Sequence, residues 1–175
     1  MGQSQRRTRT RPGQEKTRPA QKVTDIREKL TAKALKLLSY RARSVAEIRS
    51  RLEKITPDQS LIDGVVNRLK GDGLLDDVSF ARWWVKQRQS HRPRGNFGLT
   101  VELKKKGISE EIIDQVLPDA AEEKALAKKF ISSRVRRLRG LTSLQKRQKI
   151  SSWLKTRGFT AAAIYSLIDE FSKFG

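Results

Sequence analysis

An internal repeat of apolar positions constrains this chain more than any other feature of its sequence. One helical stripe, with apolar residues at i, i+3 and i+4, occurs three times at a constant offset of 51 residues. Its members are Ile62, Val65 and Val66, then Ile113, Val116 and Leu117, and then Ile164, Leu167 and Ile168. A fixed period of this kind indicates tandem units that bury their apolar faces by stacking.

The two helices before each stripe repeat as well. The middle helix keeps the offset of 51, and its apolar pairs are Ile48 and Leu52, Leu99 and Leu103, and Ile150 and Leu154. The opening helix is shifted by 47 and then by 46 residues, and its members are Ala34, Leu37, Leu38 and Arg41, then Ala81, Trp84, Val85 and Arg88, then Ala127, Phe130, Ile131 and Arg134. No segment alternates as a strand does. The sequence therefore predicts an all-α fold, an elongated array of three tandem three-helix repeats.

Composition and the repeat positions together divide the chain into four parts. Residues 1–22 contain seven Lys/Arg, one acid and no large apolar residue after Met1. Such a segment cannot bury enough apolar surface to offset the entropy of ordering it, so a disordered basic tail is predicted. Helical repeats are expected at residues 23–73, 74–118 and 119–175.

One turn departs from the repeat pattern. The turn before the last helix of a repeat contains Gly107-Ile108 in the second repeat and Gly158-Phe159 in the third. The first repeat has Thr56-Pro57 at the same place. The geometry of this turn in the first repeat is therefore not predicted by the other two.

The charge of the chain points to a polyanionic or acidic partner. Its 39 Lys+Arg against 19 Asp+Glu give a formal net charge of +20. Cysteine is absent and His91 is the only histidine, which excludes disulfides, thiolate metal sites and histidine-rich metal sites. No apolar run approaches the roughly 20 residues that a membrane span needs, and no secretory signal is recognisable. A monomeric cytoplasmic protein without membrane contact is expected.

The sequence predicts neither catalytic residues nor a metal or cofactor. The only paired carboxylates are Asp76 with Asp77 and Glu110 with Glu111. Both pairs lie at predicted helix starts, where acids stabilise the helix dipole, so capping is favoured over catalysis. No G-x-x-x-x-G-K sequence is present, which argues against a nucleotide-binding P-loop.

Basic residues cluster near the ends of the repeated helices. A cation near a helix C-terminus is stabilising by itself, but repeated units would align such clusters into one stripe able to track a phosphate backbone or an acidic groove. The predicted binding residues of this basic stripe are Arg41, Arg43, Arg88, Arg92, Arg94, Lys104, Lys105, Lys106, Arg134, Arg136, Arg137, Arg139, Lys146, Arg147 and Lys149.

The repeat positions also divide the tryptophans. Trp84 shares its position with Leu37 and Phe130, so it is expected in the core. Trp83 and Trp153 occupy positions that are charged in the other repeats. They are expected either to fill a seam between repeats, which is favoured, or to face a partner.

Three sequence patterns resemble the RecX family of regulatory proteins. They are LLSYRARSVAEIRSRL, GLLDDVSFARWWVKQR and ELKKKGISEEII, and the resemblance covers about residues 25–173. It implies an elongated array of three-helix repeats with no catalysis of its own. It also implies a modulator, usually an inhibitor, of the RecA recombinase. In that picture the protein lodges in the groove of the RecA–single-stranded DNA filament, limits its extension and lowers its ATPase, strand-exchange and coprotease activities.

Two other classes of function compete with this one. One is a sequence-tolerant helical protein that binds single- and double-stranded DNA electrostatically and has no RecA-specific role. Strong DNA binding without an effect on RecA filaments would favour it. The other is a small nuclease, which needs clustered carboxylates or a histidine placed against the phosphate. The sequence offers neither arrangement.

Overall fold

The computed structural model describes residues 19–172, which form nine α-helices and one 3₁₀ turn. The elements in chain order are α1 (Pro19–Tyr40), α2 (Val45–Leu52), α3 (Gln59–Gly71), α4 (Asp77–His91), α5 (Asn96–Lys105), α6 (Glu110–Val116), α7 (Ala120–Ser132), the 3₁₀ turn (Val135–Leu138), α8 (Ser143–Thr156) and α9 (Ala161–Ser172). No strand occurs in this part of the chain. The predicted all-helical class is confirmed.

The first helix begins earlier than its composition suggests. Because α1 starts at Pro19, residues 19–22 are helical, and the predicted tail boundary is wrong by four residues. Proline is tolerated at the first helical position, where its missing N–H would have no partner within the helix. Gln21 then reaches Asp25 one turn later, with Nε2 at 3.2 Å from Oδ1. The predicted disorder of residues 1–18 concerns positions outside the described residues.

Each group of three consecutive helices encloses a core of its own. Leu30, Ile48, Leu52 and Ile62 belong to the core of α1–α3. The core of α4–α6 contains Phe80, Leu99, Leu103 and Ile113. That of α7–α9 contains Ile131, Ile150, Leu154 and Leu167. The repeated apolar positions therefore point inward, as their helical spacing predicts.

Side-chain caps fix where several helices begin. Asp76 accepts hydrogen bonds from the N–H groups of Val78 and Ser79, at 3.1 and 2.9 Å, and so starts α4. The helices α7 and α8 each begin with a reciprocal capping box, at Asp119 and Thr142 respectively. These caps hold the first turn of each helix, where N–H groups lack intrahelical partners.

The chain leaves the α-helical conformation at the end of α7. The basic cluster Arg134, Arg136, Arg137 and Arg139 is expected at the end of that helix, but α7 ends at Ser132 and these arginines lie on and beside the 3₁₀ turn. The Nη1 atom of Arg134 donates to the carbonyl oxygen of Phe130 at 3.0 Å, which satisfies an acceptor that the ending helix leaves open. Arg134 therefore lies at the C-terminus of α7, where a cation is favourable, whereas Arg136, Arg137 and Arg139 lie beyond it.

Candidate polyanion-binding surface

Adjacent helix groups meet at two seams that are built alike. At the first seam, the N–H of Val45, at the start of α2, donates to Oδ1 of Asp77 at 2.8 Å. At the second, the N–H of Asn96, at the start of α5, donates to Oε1 of Glu123 at 2.7 Å. In each case a carboxylate from the first helix of the next group satisfies a free N–H. Burial raises the pKa of Asp77, and the hydrogen bond from Val45 opposes that rise.

At each seam, a turn that contains a glycine packs closely against the preceding helix group. Gly107 and Gly158 have φ of 74° and 70°. A Cβ on Gly107 would lie 2.3 Å from Cβ of Ala46, and one on Gly158 would lie 2.5 Å from Cα of Gly98. The equivalent position of the first group is Thr56, and no helix group precedes it within the described chain. The break in the turn pattern thus has a physical reason, because only a turn that receives a preceding group needs the missing side chain.

A basic pocket opens at the first seam, with a volume of about 350 Å³. Six cations line it from the end of α1, the outer face of α2 and the end of α5, together with one carboxylate, that of Glu47. The cations are Arg41, Arg43, Arg51, Lys54, Lys105 and Lys106. The structure thus brings together four residues of the predicted stripe that are distant in sequence.

Two of these cations were missed from sequence. Arg51 and Lys54 follow Glu47 at i+4 and i+7, so helical spacing puts all three on one face of α2 and its C-terminal turn. That spacing was the available signal. It carried little weight because α2 and α5 are far apart in sequence, and only their packing shows that this face turns toward Lys105.

Glu47 bridges two cations across the seam. Its carboxylate accepts two hydrogen bonds from the Arg41 guanidinium, at 3.0 and 3.1 Å, and one from Nζ of Lys106 at 2.6 Å. The side chain is only 17% exposed. Burial by itself raises the pKa of Glu47, but the hydrogen bonds and charges of Arg41 and Lys106 outweigh it and hold that pKa at about 2.

This depressed pKa predicts a pH-dependent contribution to stability. A carboxyl group whose pKa falls on folding stabilises the native state above its ordinary pKa, and that stabilisation disappears as the pH falls through the folded value. Glu47→Gln is therefore expected to lower the free energy of unfolding by about 2–3 kcal/mol at pH 7. The difference from wild type should shrink between about pH 4.5 and pH 2. Urea denaturation at several pH values measures it, and a pH-independent difference would contradict the role of the charge.

The remaining cations of the basic pocket repel one another. Burial lowers the pKa of Arg43, and the nearby charges of Arg41 and Arg51 lower it further. Nε of Arg43 donates to the carbonyl oxygen of Leu37 at 3.1 Å. Among the described residues, Arg51, Lys54 and Lys105 form no ion pair. The pocket is thus left with an excess of positive charge and a single internal anion.

Arg88 and Arg94 are held in a different arrangement. Both contact Glu102, with Nε at 2.7 Å from Oε2 for Arg88 and at 3.0 Å from Oε1 for Arg94. Nε1 of Trp84 donates to the same carboxylate at 2.9 Å. Trp84 is therefore half-buried rather than fully in the core, because its polar edge turns to Glu102 and cations at Arg88 and Lys106 lie over its ring.

The other predicted basic residues differ in their contacts and exposure. Lys104 pairs with Glu110, and Nζ of Lys149 lies 3.5 Å from the carbonyl oxygen of Arg137. Lys146 and Arg147 belong to the first half of α8. Three arginines on or beside the 3₁₀ turn are exposed and form no ion pair within residues 19–172, and we call them the third-group arginines: Arg136, Arg137 and Arg139. Arg92 is likewise exposed and forms no ion pair within that range, after the end of α4.

The two remaining tryptophans differ in their surroundings. Trp83 is 36% exposed and lines a cavity of about 740 Å³ at the first seam, together with Leu38 and Leu74. Trp153 is half-buried against the core of α7–α9, and Nζ of Lys149 lies 5.8 Å from the centre of its ring. Contact of either ring with a partner stays a prediction.

The described residues contain neither a membrane-spanning helix nor a cluster of metal ligands. None of the helices within residues 19–172 is long and apolar enough to cross a bilayer. That range also contains no group of three or more histidine, aspartate and glutamate side chains able to hold a metal ion.

Comparison with known proteins matches the first two helix groups to family models. The model of the first three-helix domain of RecX matches residues 26–69, and that of the second three-helix domain matches residues 76–117. These stretches coincide with α1–α3 and α4–α6.

Curated relatives and solved structures carry the same name. Regulatory protein RecX of Chlorobium phaeobacteroides (strain BS1) is 37% identical over 141 residues, which cover 78% of this chain and 89% of that protein. The one from Mycobacterium sp. (strain KMS) is 30% identical over 147 residues, covering 81% and 80%. A crystal structure of regulatory protein RecX aligns with a TM-score of 0.75 and 28% identity over 89% of this chain and 79% of that one. RecX from Lactobacillus salivarius, at 24% identity, shares the fold, with a TM-score of 0.78 over 85% and 97%.

Proposed function

The chain belongs to the RecX family of regulatory proteins, and from this premise we propose that it inhibits the RecA recombinase. In this proposal it binds in the groove of the RecA–single-stranded DNA filament. Bound there, it limits filament extension and lowers ATP hydrolysis, strand exchange and coprotease activity. Its partners are RecA and DNA, it acts as a monomer, and it catalyses no reaction of its own.

The proposal rests on one observation: the described surface has more cations than its internal ion pairs neutralise. The basic pocket has six cations and one carboxylate, and the third-group arginines form no ion pair in the described chain. Cations without internal partners can neutralise phosphates or the acidic residues of a filament groove. Those that already hold Glu102, namely Arg88 and Arg94, contribute less to such binding because their charge is partly neutralised.

We also propose that the three helix groups are tandem repeats in an elongated array. Support comes from the two seams, where equivalent residues make equivalent contacts: Asp77 with Val45 and Glu123 with Asn96. A third group that docks by the same contacts extends the first two along one direction. Small-angle scattering that gives the radius of gyration of a compact sphere of this mass would count against the elongated shape.

The inhibitory role is tested by removing the third-group arginines together. The change is Arg136→Ala, Arg137→Ala and Arg139→Ala in one protein, which breaks no ion pair of the described structure. We expect weaker inhibition of RecA-dependent ATP hydrolysis on single-stranded DNA. The salt dependence of filament binding should become shallower by about one unit for each lost phosphate contact.

A matched control separates a specific surface from bulk charge. Lys29, Lys33 and Lys36 are exposed on α1 and lie outside the predicted stripe, and replacing all three by alanine removes the same charge. This control should inhibit RecA as the parent does. Equal loss in both triple variants would mean that only net charge matters. If the unaltered protein bound DNA but had no effect on RecA filaments, a DNA-binding function without a RecA-specific role would be favoured instead.

A further inference from the structure

We propose that the basic pocket at the first seam is a phosphate-binding site, in which an entering phosphate takes the place of the Glu47 carboxylate. The phosphate is that of a nucleic-acid backbone, and this choice of source rests on the proposed function. The site lies between α2 and the end of α5, so both of the first two helix groups contribute to it.

The donors of this site are already arranged around an anion. Two N–H groups of the Arg41 guanidinium meet the two oxygens of Glu47, and Nζ of Lys106 meets one of them. A guanidinium fork binds two phosphate oxygens in the same geometry as two carboxylate oxygens. A phosphate at this position would therefore find three N–H donors in place without rearrangement of the backbone.

The cations that line the rest of the pocket favour the exchange. Arg51, Lys54 and Lys105 form no ion pair in the described chain. Their positive charges are therefore not neutralised internally, and they attract an entering anion. The Glu47 carboxylate contacts Arg41 and Lys106 instead of these three cations. A backbone phosphodiester has two anionic oxygens, as a carboxylate does, but it is not tethered to α2, so it can take up a position between the cations of both walls.

The size and lining of the pocket select the backbone of the ligand over its bases. A volume of about 350 Å³ accommodates a phosphate or diphosphate. No aromatic side chain lines the pocket, so it provides no surface for base stacking. Contacts of this kind fix the position of a nucleic acid but do not read its sequence.

Occupation of the site would also change what holds the seam together. Glu47 belongs to α2, and its contact with Lys106 crosses from the first helix group to the second. A phosphate bound between Arg41 and Lys106 would replace this internal bridge by a bridge through the ligand. Other contacts of the seam, such as the hydrogen bond from the Ser44 hydroxyl to the carbonyl oxygen of Lys106, do not involve the Glu47 side chain.

The test measures binding of inorganic pyrophosphate to the full chain by isothermal titration calorimetry at low salt and neutral pH. Glu47→Gln should bind about tenfold more tightly, because it keeps the shape of the side chain but removes the competing charge. Lys105→Ala and Arg51→Ala, which break no ion pair, should each bind about threefold to tenfold more weakly. Lys124→Ala, an exposed lysine of α7 outside the pocket, is the matched control and should stay within about twofold of the parent.

Two results would overturn the site. One is an equal loss of pyrophosphate affinity in Lys105→Ala and Lys124→Ala, since binding would then follow net charge alone. The other is unchanged or weaker binding by a folded Glu47→Gln protein, since the carboxylate would then not compete with the ligand. If Glu47→Gln does not fold, Arg51→Ala against Lys124→Ala decides the same question.

A second arm identifies the source of the phosphate. Single-stranded oligothymidylate should displace pyrophosphate and should lose affinity in Lys105→Ala and Arg51→Ala. Oligonucleotide affinity that these variants leave unchanged, while pyrophosphate affinity falls, would overturn the nucleic-acid assignment in favour of a free polyphosphate. RecA is absent from both arms. If replacing the third-group arginines left RecA inhibition unchanged, that result would therefore count against the proposed function and not against this site.

Discussion

Glu123→Ala is expected to lower the free energy of unfolding by about 3–5 kcal/mol, among the largest losses that a single substitution can cause in this protein. The carboxylate is only 2% exposed. It accepts hydrogen bonds from the N–H of Asn96 at 2.7 Å, and from the N–H and the hydroxyl of Thr160 at 3.1 and 2.6 Å. Alanine would leave the N–H of Asn96, and the N–H and hydroxyl of Thr160 just before α9, without these partners in a buried place.

The neighbouring acid provides the control for this prediction. Glu122 is exposed and accepts only from the N–H of Asp119, at 3.2 Å, so Glu122→Ala should cost about 1 kcal/mol or less. Glu123→Gln should lie between the two, because an amide keeps one acceptor but loses the charge. Urea denaturation followed by circular dichroism measures all three proteins. Similar midpoints for Glu122→Ala and Glu123→Ala would show that the buried carboxylate does not hold the second seam.

Gly158→Ala is expected to cost about 3 kcal/mol or more, for two separate reasons. Its φ of 70° is unfavourable for any residue with a side chain. A Cβ there would also meet backbone atoms of Gly98, at 2.5 and 2.6 Å, and backbone cannot move aside as a flexible side chain can. The N–H of Gly98 donates to the carbonyl oxygen of Gly158 at 2.9 Å, and that contact would be disrupted as well.

Gly140→Ala separates these two costs. Gly140 has nearly the same φ, 73°, but no atom lies within 4 Å of the position of its Cβ. This variant should lose only the conformational part, about 1 kcal/mol. The difference between the two denaturation midpoints measures how much stability is lost through the clash of the new Cβ with the Gly98 backbone at the second seam. Equal losses would mean that the helix groups do not meet as closely as the structure places them.

The helices and the three cores were predictable because burial of one helical face imposes a period on the sequence. Leu103 and Leu154 are 51 residues apart and fully buried in different cores, as their shared position indicates. The cap at Asp76 was predictable as well, since a helix start needs a local acceptor within a few residues. The basic stripe was predictable as a set of candidate residues, because a net charge of +20 requires cationic surface. Which of these cations are neutralised was not predictable.

Tertiary structure alone decided that question, because an ion pair depends on atoms brought close by packing. Glu47 and Lys106 are 59 residues apart, and only the docking of α5 against α2 joins them. The same docking placed Arg51 and Lys54 on the walls of a pocket, and the docking of the third helix group placed Glu123 against two helix starts. A periodic pattern specifies which face of a helix is buried within its own unit. The contacts between units fall on faces whose partners lie in another part of the sequence, and no local spacing records them.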